Sequence, residues 1–359
     1  MTWALAIAGF IFLILLHEYG HFLAAKAVGM RVERFSLFFG KPLVKVRRGE
    51  TEYAIGPIPA GGYVKITGMN PTEEVPEDVA PRSYFRQPVW KRVVVILAGP
   101  GMNIFIALAL LWAVFLHNGY VEGSSRVGQV DANAPAFGHL ASGDKLVAVD
   151  GHGGTLLELS DRIASHSCPG RVAPGCRART PVRITVRRGP RNLTFSLYPR
   201  YDAKAGRMRV GFGFVDHKVS TNPVNSVGYA GQEMWSVTSN TVSTFARFLF
   251  SSQARSQVHG AVGISKVTQE SFKLGFVQGL LLLAIVSLSL AIVNLFPFLP
   301  LDGGHVFWAV GEKLRGGRPI SLDFMQRWSA VGVVLVIFVV ITGFTNDIST
   351  LQNGGFHVR

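Results

Sequence analysis

Residues 275–301 contain no Asp, Glu, Lys or Arg, and an apolar run of that length leaves the backbone little choice. In hydrocarbon no water pairs with peptide groups, so a helix, which bonds its own, is the local solution. About 20 apolar residues cover the roughly 30 Å of a bilayer core. Residues 93–116 and 328–344 approach or exceed that length, and residues 3–16 form a fourth apolar run. The expected fold class is a multi-pass α-helical membrane protein with about four transmembrane helices. The first run has no basic start and no cleavage site before the histidines that follow it, so it reads as a retained helix rather than a secretory signal.

That first run ends in His17-Glu18-Tyr19-Gly20-His21. On a helix, residues four apart share a face, so two imidazoles can address one cation while Glu18 is left to act as a base. Zinc in catalytic sites takes three protein ligands and keeps one position open. Chance occurrence, or two histidines hydrogen-bonded in a core, is the bland alternative. The apolar flank weighs against it, because ionisable groups at bilayer depth are costly and mostly functional.

Short loops rich in Lys and Arg favour the cytoplasm. Arg31, Arg34, Lys41, Lys45, Arg47 and Arg48 follow the first span, and Lys313, Arg315 and Arg318 precede the last. Both loops are therefore expected inside, with both termini and residues 118–273 outside. The only cysteines, Cys168 and Cys176, lie in that outer segment. A disulfide between them would close a small loop in an oxidising compartment; two free thiols are the alternative. The net charge of +14 is spread over strand-like segments without a basic helix or aromatic platform. No nucleic-acid partner is expected, and anionic head groups of the lipid bilayer account for the charge.

Within the outer segment, residues 127–130, 145–149, 182–187 and 193–197 read as strands and 157–165 as a helix. The order Asp131-Ala132-Asn133-Ala134-Pro135-Ala136, then Ser142-Gly143-Asp144-Lys145 and a strand ending Val149-Asp150-Gly151, resembles a PDZ domain. The resemblance implies an α+β module with a small-residue helix near 131–136, serving as a peptide binder or as a steric cover. Residues 225–250 have helical spacing with Trp235, Phe245 and Phe248, as expected of an amphipathic segment at a membrane surface.

The 275–301 run closes with Asn294-Leu295-Phe296-Pro297-Phe298-Leu299-Pro300-Leu301-Asp302-Gly303-Gly304-His305. Two prolines break the helix there, and irregular backbone at that depth is tolerated where it lines a cavity. Asp302 or His305 could then reach a metal. HEYGH together with NLFPFLPLDGG resembles the site-2 protease family of intramembrane zinc metalloproteases, more narrowly its bacterial PDZ-containing branch typified by the regulator of sigma-E protease. The resemblance implies zinc (Zn2+) held by His17, His21 and Asp302, Glu18 as general base, and Asn294 positioning substrate. It also implies that residues 52–65, with a Gly61-Gly62 turn, form a membrane-associated β-hairpin-like loop beside the site. Gly260-Ala261-Val262-Gly263-Ile264 resembles a further family element, with Ala261 where proline is more usual. Gly99-Pro100-Gly101-Met102-Asn103 reads only as a site of close helix packing.

The expected layout is a first transmembrane helix over 1–28, a cytoplasmic loop over 29–89 and a second transmembrane helix over 90–117. An extracytoplasmic PDZ domain over 118–215 and an amphipathic linker over 216–273 follow. A third transmembrane helix over 274–304, a cytoplasmic loop over 305–325, a fourth transmembrane helix over 326–345 and a tail over 346–359 complete it. The implied function is endopeptidase cleavage of single-span membrane proteins, of anti-sigma factor or signal-peptide type, in regulated intramembrane proteolysis. The expected location is the plasma membrane, the inner membrane in a Gram-negative host. A catalytically inactive PDZ-bearing scaffold or receptor is the alternative, which loss of Glu18 or Asp302 would mark; both are present. The oligomeric state is left open.

Overall fold

The computed structural model describes residues 1–352 except 71–72, 171–172, 204, 257 and 319. Along the chain run α1 (Thr2–Ala27), β1 (Val32–Phe39), β2 (Val44–Arg48), β3 (Thr51–Ile55), β4 (Ile58–Ile66), α2 (Val89–Asn118), β5 (Tyr120–Val130) and β6 (Lys145–Val149). There follow α3 (Leu156–Ala164), β7 (Val182–Arg188), β8 (Arg191–Leu197), β9 (Arg200–Asp202), β10 (Arg207–Arg209) and β11 (Phe212–Val219). The last third is helical, with α4 (Pro223–Phe248), α5 (Ser252–Ser256), α6 (Ala261–Leu274), α7 (Phe276–Asn294), α8 (Asp302–Leu314) and α9 (Leu322–Gln352). Two units separate, one made of Met1–Asn118 with the chain from Asn222 onward, the other of Gly119–Thr221.

In the first unit, α1, α2, α7 and α9 are long and apolar enough to cross a membrane. Their side chains are sorted accordingly. α1 turns Ala6, Leu13, His17, Gly20, His21 and Ala25 inward and leaves Ile7, Phe12, Tyr19 and Leu23 exposed. Large apolar groups lose nothing by facing lipid, while small inward residues let helix backbones approach. α9 is held near its C-terminal end. Asn346 Nδ2 donates to the carbonyls of Arg255 and Val258, and the Asp347 carboxylate accepts from the N–H groups of Gly260 and Gly263, capping α6 where the chain reads Gly260-Ala261.

Four sequence expectations are corrected. Residues 52–65 are not a hairpin: β3 and β4 flank β1 in the order β2-β3-β1-β4. β1 runs parallel to β3, with Phe35 opposite Tyr53, and antiparallel to β4, with Phe35 opposite Val64. The actual hairpin joins β2 to β3, and Gly61 and Gly62 lie inside β4 rather than in a turn. Alternation along 52–65 is the same in either arrangement, so pairing with the distant β1 decides. Second, the helix expected over 274–304 stops at Asn294, where Pro297 and Pro300 cannot continue it. Asp302 opens a separate helix, α8, which runs to Leu314 and so into the 305–325 region expected as a loop. Third, 216–273 is no linker but carries the end of β11 and α4 to α6. The Asn222 side chain caps α4 by accepting from Asn225 N, with Pro223 at the first helical position. Fourth, residues 132–139 form turns rather than a helix, because Ala134 precedes a proline and Gly138 takes φ +75°. Of the tail, residues 353–359 lie outside the described residues.

The second unit is a five-stranded antiparallel sheet in the order β11-β5-β6-β7-β8, with β9 and β10 as a separate pair. Period-two alternation buries Val182, Ile184 and Val186 of β7 against Leu159 and Ile163, one helical turn apart on α3. A reciprocal Thr155–Glu158 capping box starts α3. Asp144, only 2% exposed, receives a two-pronged contact from Arg188 Nε and Nη2 at 2.8 and 2.7 Å. That guanidinium holds the carboxyl below the usual carboxylate range. Cys168 and Cys176 are bonded, their Cα atoms 6.1 Å apart; residues 171–172 of the enclosed loop lie outside the described residues.

Candidate metal centre

The last turns of α1 carry His17 and His21 on the face that meets α2. Two glycines allow the approach. A Cβ on Gly20 would strike the Ala98 carbonyl, and one on Gly99 would overlap the His21 ring. His21 Nδ1 lies 2.9 Å from the Val95 carbonyl, to which it donates, so its Nε2 lone pair is left for the site. His17 Nδ1 lies 3.1 Å from the Asn103 amide. Asn103 is fully buried, and its Oδ1 is without a partner. A half-turn of that amide sets Oδ1 on a His17 Nδ1–H and satisfies both, which directs the Nε2 lone pair of His17 outward as well.

Both Nε2 atoms face Asp302. Each lies 3.3 Å from Asp302 Oδ2, and ligand atoms of the three residues fall within 4.8 Å of one another. Asp302 reaches this point from the far side of the helix break. Gly303 and Gly304 have no room for a Cβ against the backbone of 295–299, so Asp-Gly-Gly is what lets α8 begin there. Asp302 Oδ2 is buried and accepts no hydrogen bond. A carboxylate oxygen held between two imidazole lone pairs is unfavourable unless a cation or a proton lies between them. Two ligands bonded to zinc at about 2.0–2.1 Å in a tetrahedron stand roughly 3.3–3.4 Å apart. The orphaned oxygen, the spacing and the two-nitrogen, one-oxygen donor set all fit zinc.

A cavity of about 680 Å3 opens on these residues and includes Glu18, Asn294, Gly61 and Gly62 in its lining. β4 is an edge strand, and its backbone crosses directly over Glu18: a Cβ on Gly62 would lie 2.8 Å from Glu18 Cγ. Gly61, at φ +139°, rests on the Phe39 ring. Asn294, the last residue of α7, sits with Nδ2 3.5 Å from His17 Nε2. His305 lines the same cavity but stands outside the three-residue group. Asn103 and the Val95 carbonyl are the histidine partners that sequence reasoning missed, whereas Gly99 lies where close helix packing was expected. The Gly99–Asn103 stretch signalled only packing; in the structure Gly99 and Asn103, four residues apart, share the α2 face that meets α1.

The family model described as peptidase family M50 matches residues 5–339. A Mesorhizobium japonicum protein, provisionally named a zinc metalloprotease, is 28% identical over 93% of this chain and 95% of its own length. The regulator of sigma-E protease RseP of Escherichia coli is 28% identical over 94% of this chain and 96% of its own. Among solved structures, the PDZ domain of an SdrC-like protein from Listeria innocua matches 27% of this chain and 97% of its own at 24% identity, with a TM-score of 0.21.

Proposed function

The chain belongs to peptidase family M50, and on that premise we propose that it is an intramembrane zinc endopeptidase cutting the transmembrane segments of single-span membrane proteins. The observation that carries this reading is the convergence of His17, His21 and Asp302 within 4.8 Å, the histidines from inside the apolar helix α1 and the aspartate from the start of α8, just after the apolar helix α7. These three residues would hold the metal. When bound, zinc supplies Lewis acidity, which acidifies water and polarises a carbonyl.

The remaining work belongs to the chain. Glu18 takes a proton from the attacking water and delivers it to the departing amine as the C–N bond breaks, leaving a carboxylic acid and an amine. A peptide bond inside a helix is already hydrogen-bonded, so the substrate must unwind first. The free edge of β4 offers backbone partners to the unwound stretch, and the missing side chains at Gly61 and Gly62 let it lie close to Glu18. Asn294 faces the same space and would position the substrate carbonyl. Loops rich in Lys and Arg would lie in the cytoplasm, with 119–221 outside as a PDZ-type cover that turns away substrates with bulky outer domains. An oxidising outer compartment accords with the Cys168–Cys176 bond. The substrate class is that of anti-sigma factors or remnant signal peptides.

The test uses detergent-solubilised protein and a single-span substrate. Cleavage is expected from the unaltered chain and lost both with Glu18→Gln and with a chelator, while Glu18→Gln still binds zinc stoichiometrically. Cleavage that survives either treatment refutes the reading.

A further inference from the structure

A second cavity, of about 360 Å3, adjoins the first and shares His305 with it. Tyr84, Arg92, Trp308, Ala309, Glu312 and Met325 are among its walls. Arg92, on the first turn of α2, is 3% exposed, and its Nη2 donates to Glu312 Oε1 of α8 at 2.6 Å. Its Nε is buried without an acceptor. An N–H left in that state is unfavourable, and native structures keep such groups where something completes them. Because Glu312 already balances the guanidinium charge, the group that completes Nε need not be an anion. A neutral peptide carbonyl suffices. The aromatic and aliphatic walls add room for an apolar side chain.

The position of this cavity points to the source of that carbonyl. Tyr84 N donates to the Thr67 carbonyl at 2.8 Å, so the cavity lies just past the end of β4, the edge strand that crosses Glu18 at Gly62. From Gly62 to Thr67 the strand direction advances five residues, roughly 16 Å at the usual rise. A chain paired with β4 and cut beside Glu18 would arrive here. We propose that the cavity is a subsite for the substrate chain, taking a large apolar side chain about five residues from the cut bond, with the backbone carbonyl there accepting from Arg92 Nε. The inference rests on the peptidase reading above and adds a sequence preference to it.

The test profiles cleavage by the full-length protein of a single-span substrate in which each residue three to six places from the mapped cut, on both sides, is changed in turn to Leu, Gly or Asp. One position about five residues away should favour Leu over Gly or Asp by roughly tenfold or more in kcat/KM. Ala309→Leu, which fills the cavity, should erase that preference at unchanged zinc content. In a Glu18→Gln background, a photo-crosslinking benzoylphenylalanine in place of Met325 should label the uncleaved substrate, a readout that does not depend on how Ala309→Leu folds. A flat profile at every position, or no crosslink, overturns the subsite and leaves the peptidase reading intact. A substrate panel that is not cleaved at all overturns both.

Discussion

Asn103→Ala isolates the group that orients His17. Without metal, His17 can carry its proton on Nε2, facing Asp302, and use Nδ1 as an acceptor. With zinc on Nε2 the proton must reside on Nδ1, 3.1 Å from the Asn103 amide, in a place where Asn103 is fully buried. Only the metal-bound form therefore demands an acceptor at this point. Leaving a buried donor unsatisfied costs about 1–3 kcal/mol, which at ~1.4 kcal/mol per tenfold is roughly a 5- to 150-fold loss of zinc affinity. Outer partners of metal-bound histidines are generally worth about 10- to 100-fold, so the two routes agree. The assay is competition for zinc against a chromogenic chelator in detergent, with metal-free thermal midpoints as the folding control. Asn103→Asp, which keeps an acceptor, should retain affinity. An Asn103→Ala affinity within about twofold of the unaltered protein would refute the account, because that is under half a kcal/mol.

Gly62→Val places a Cβ 2.8 Å from Glu18 Cγ and 2.9 Å from the Ser36 carbonyl; displacing a catalytic group by about 1 Å costs on the order of 100-fold in turnover. Zinc affinity should hold while turnover falls, and retained turnover would show that β4 does not constrain the base. Glu50 accepts from Arg82 and Lys26, and those hydrogen bonds lower its pKa from 4.5 to about 2. A depressed carboxylate stabilises the fold above its unfolded value and loses that contribution as pH falls through the folded one. Glu50→Gln should therefore lower the thermal midpoint near neutral pH, with the gap to the unaltered protein closing between pH 4.5 and 2; a gap independent of pH would contradict the pairing. Reducing the Cys168–Cys176 bond, which spans eight positions, should destabilise the 119–221 unit by roughly 2–3 kcal/mol. Denaturant unfolding with and without reductant reads this directly, and coincident curves would remove the disulfide from the stability of that unit.

The helices and two of the three members of the metal group were legible because they rest on local periodicity. Four apolar runs specify helices wherever water is excluded, and the spacing of His17 and His21 puts both on one face of whatever helix holds them. Likewise, strands β6 to β8 and helix α3 follow from alternation and turn residues. The two prolines after Asn294 announced a break, although not that a new helix would start at Asp302. That Asp302 rather than His305 closes the group came from family resemblance, since no local pattern relates residue 302 to residue 17.

What needed the tertiary structure was every relation between segments that are distant along the chain. The alternation of 52–65 suits a hairpin or two strands divided by a third, and only the parallel pairing of β1 with β3 separates them. Asn103 is an ordinary helical polar residue until α2 crosses α1 closely enough to meet His17, which the bare faces of Gly20 and Gly99 permit. The Arg92–Glu312 pair joins positions on different helices. Helix and strand formation are decided by bonds a few residues apart, so composition and period carry them. The direction of a lone pair, the free edge of a sheet and an orphaned donor depend on which surfaces meet, and that is set by the packing of the whole chain.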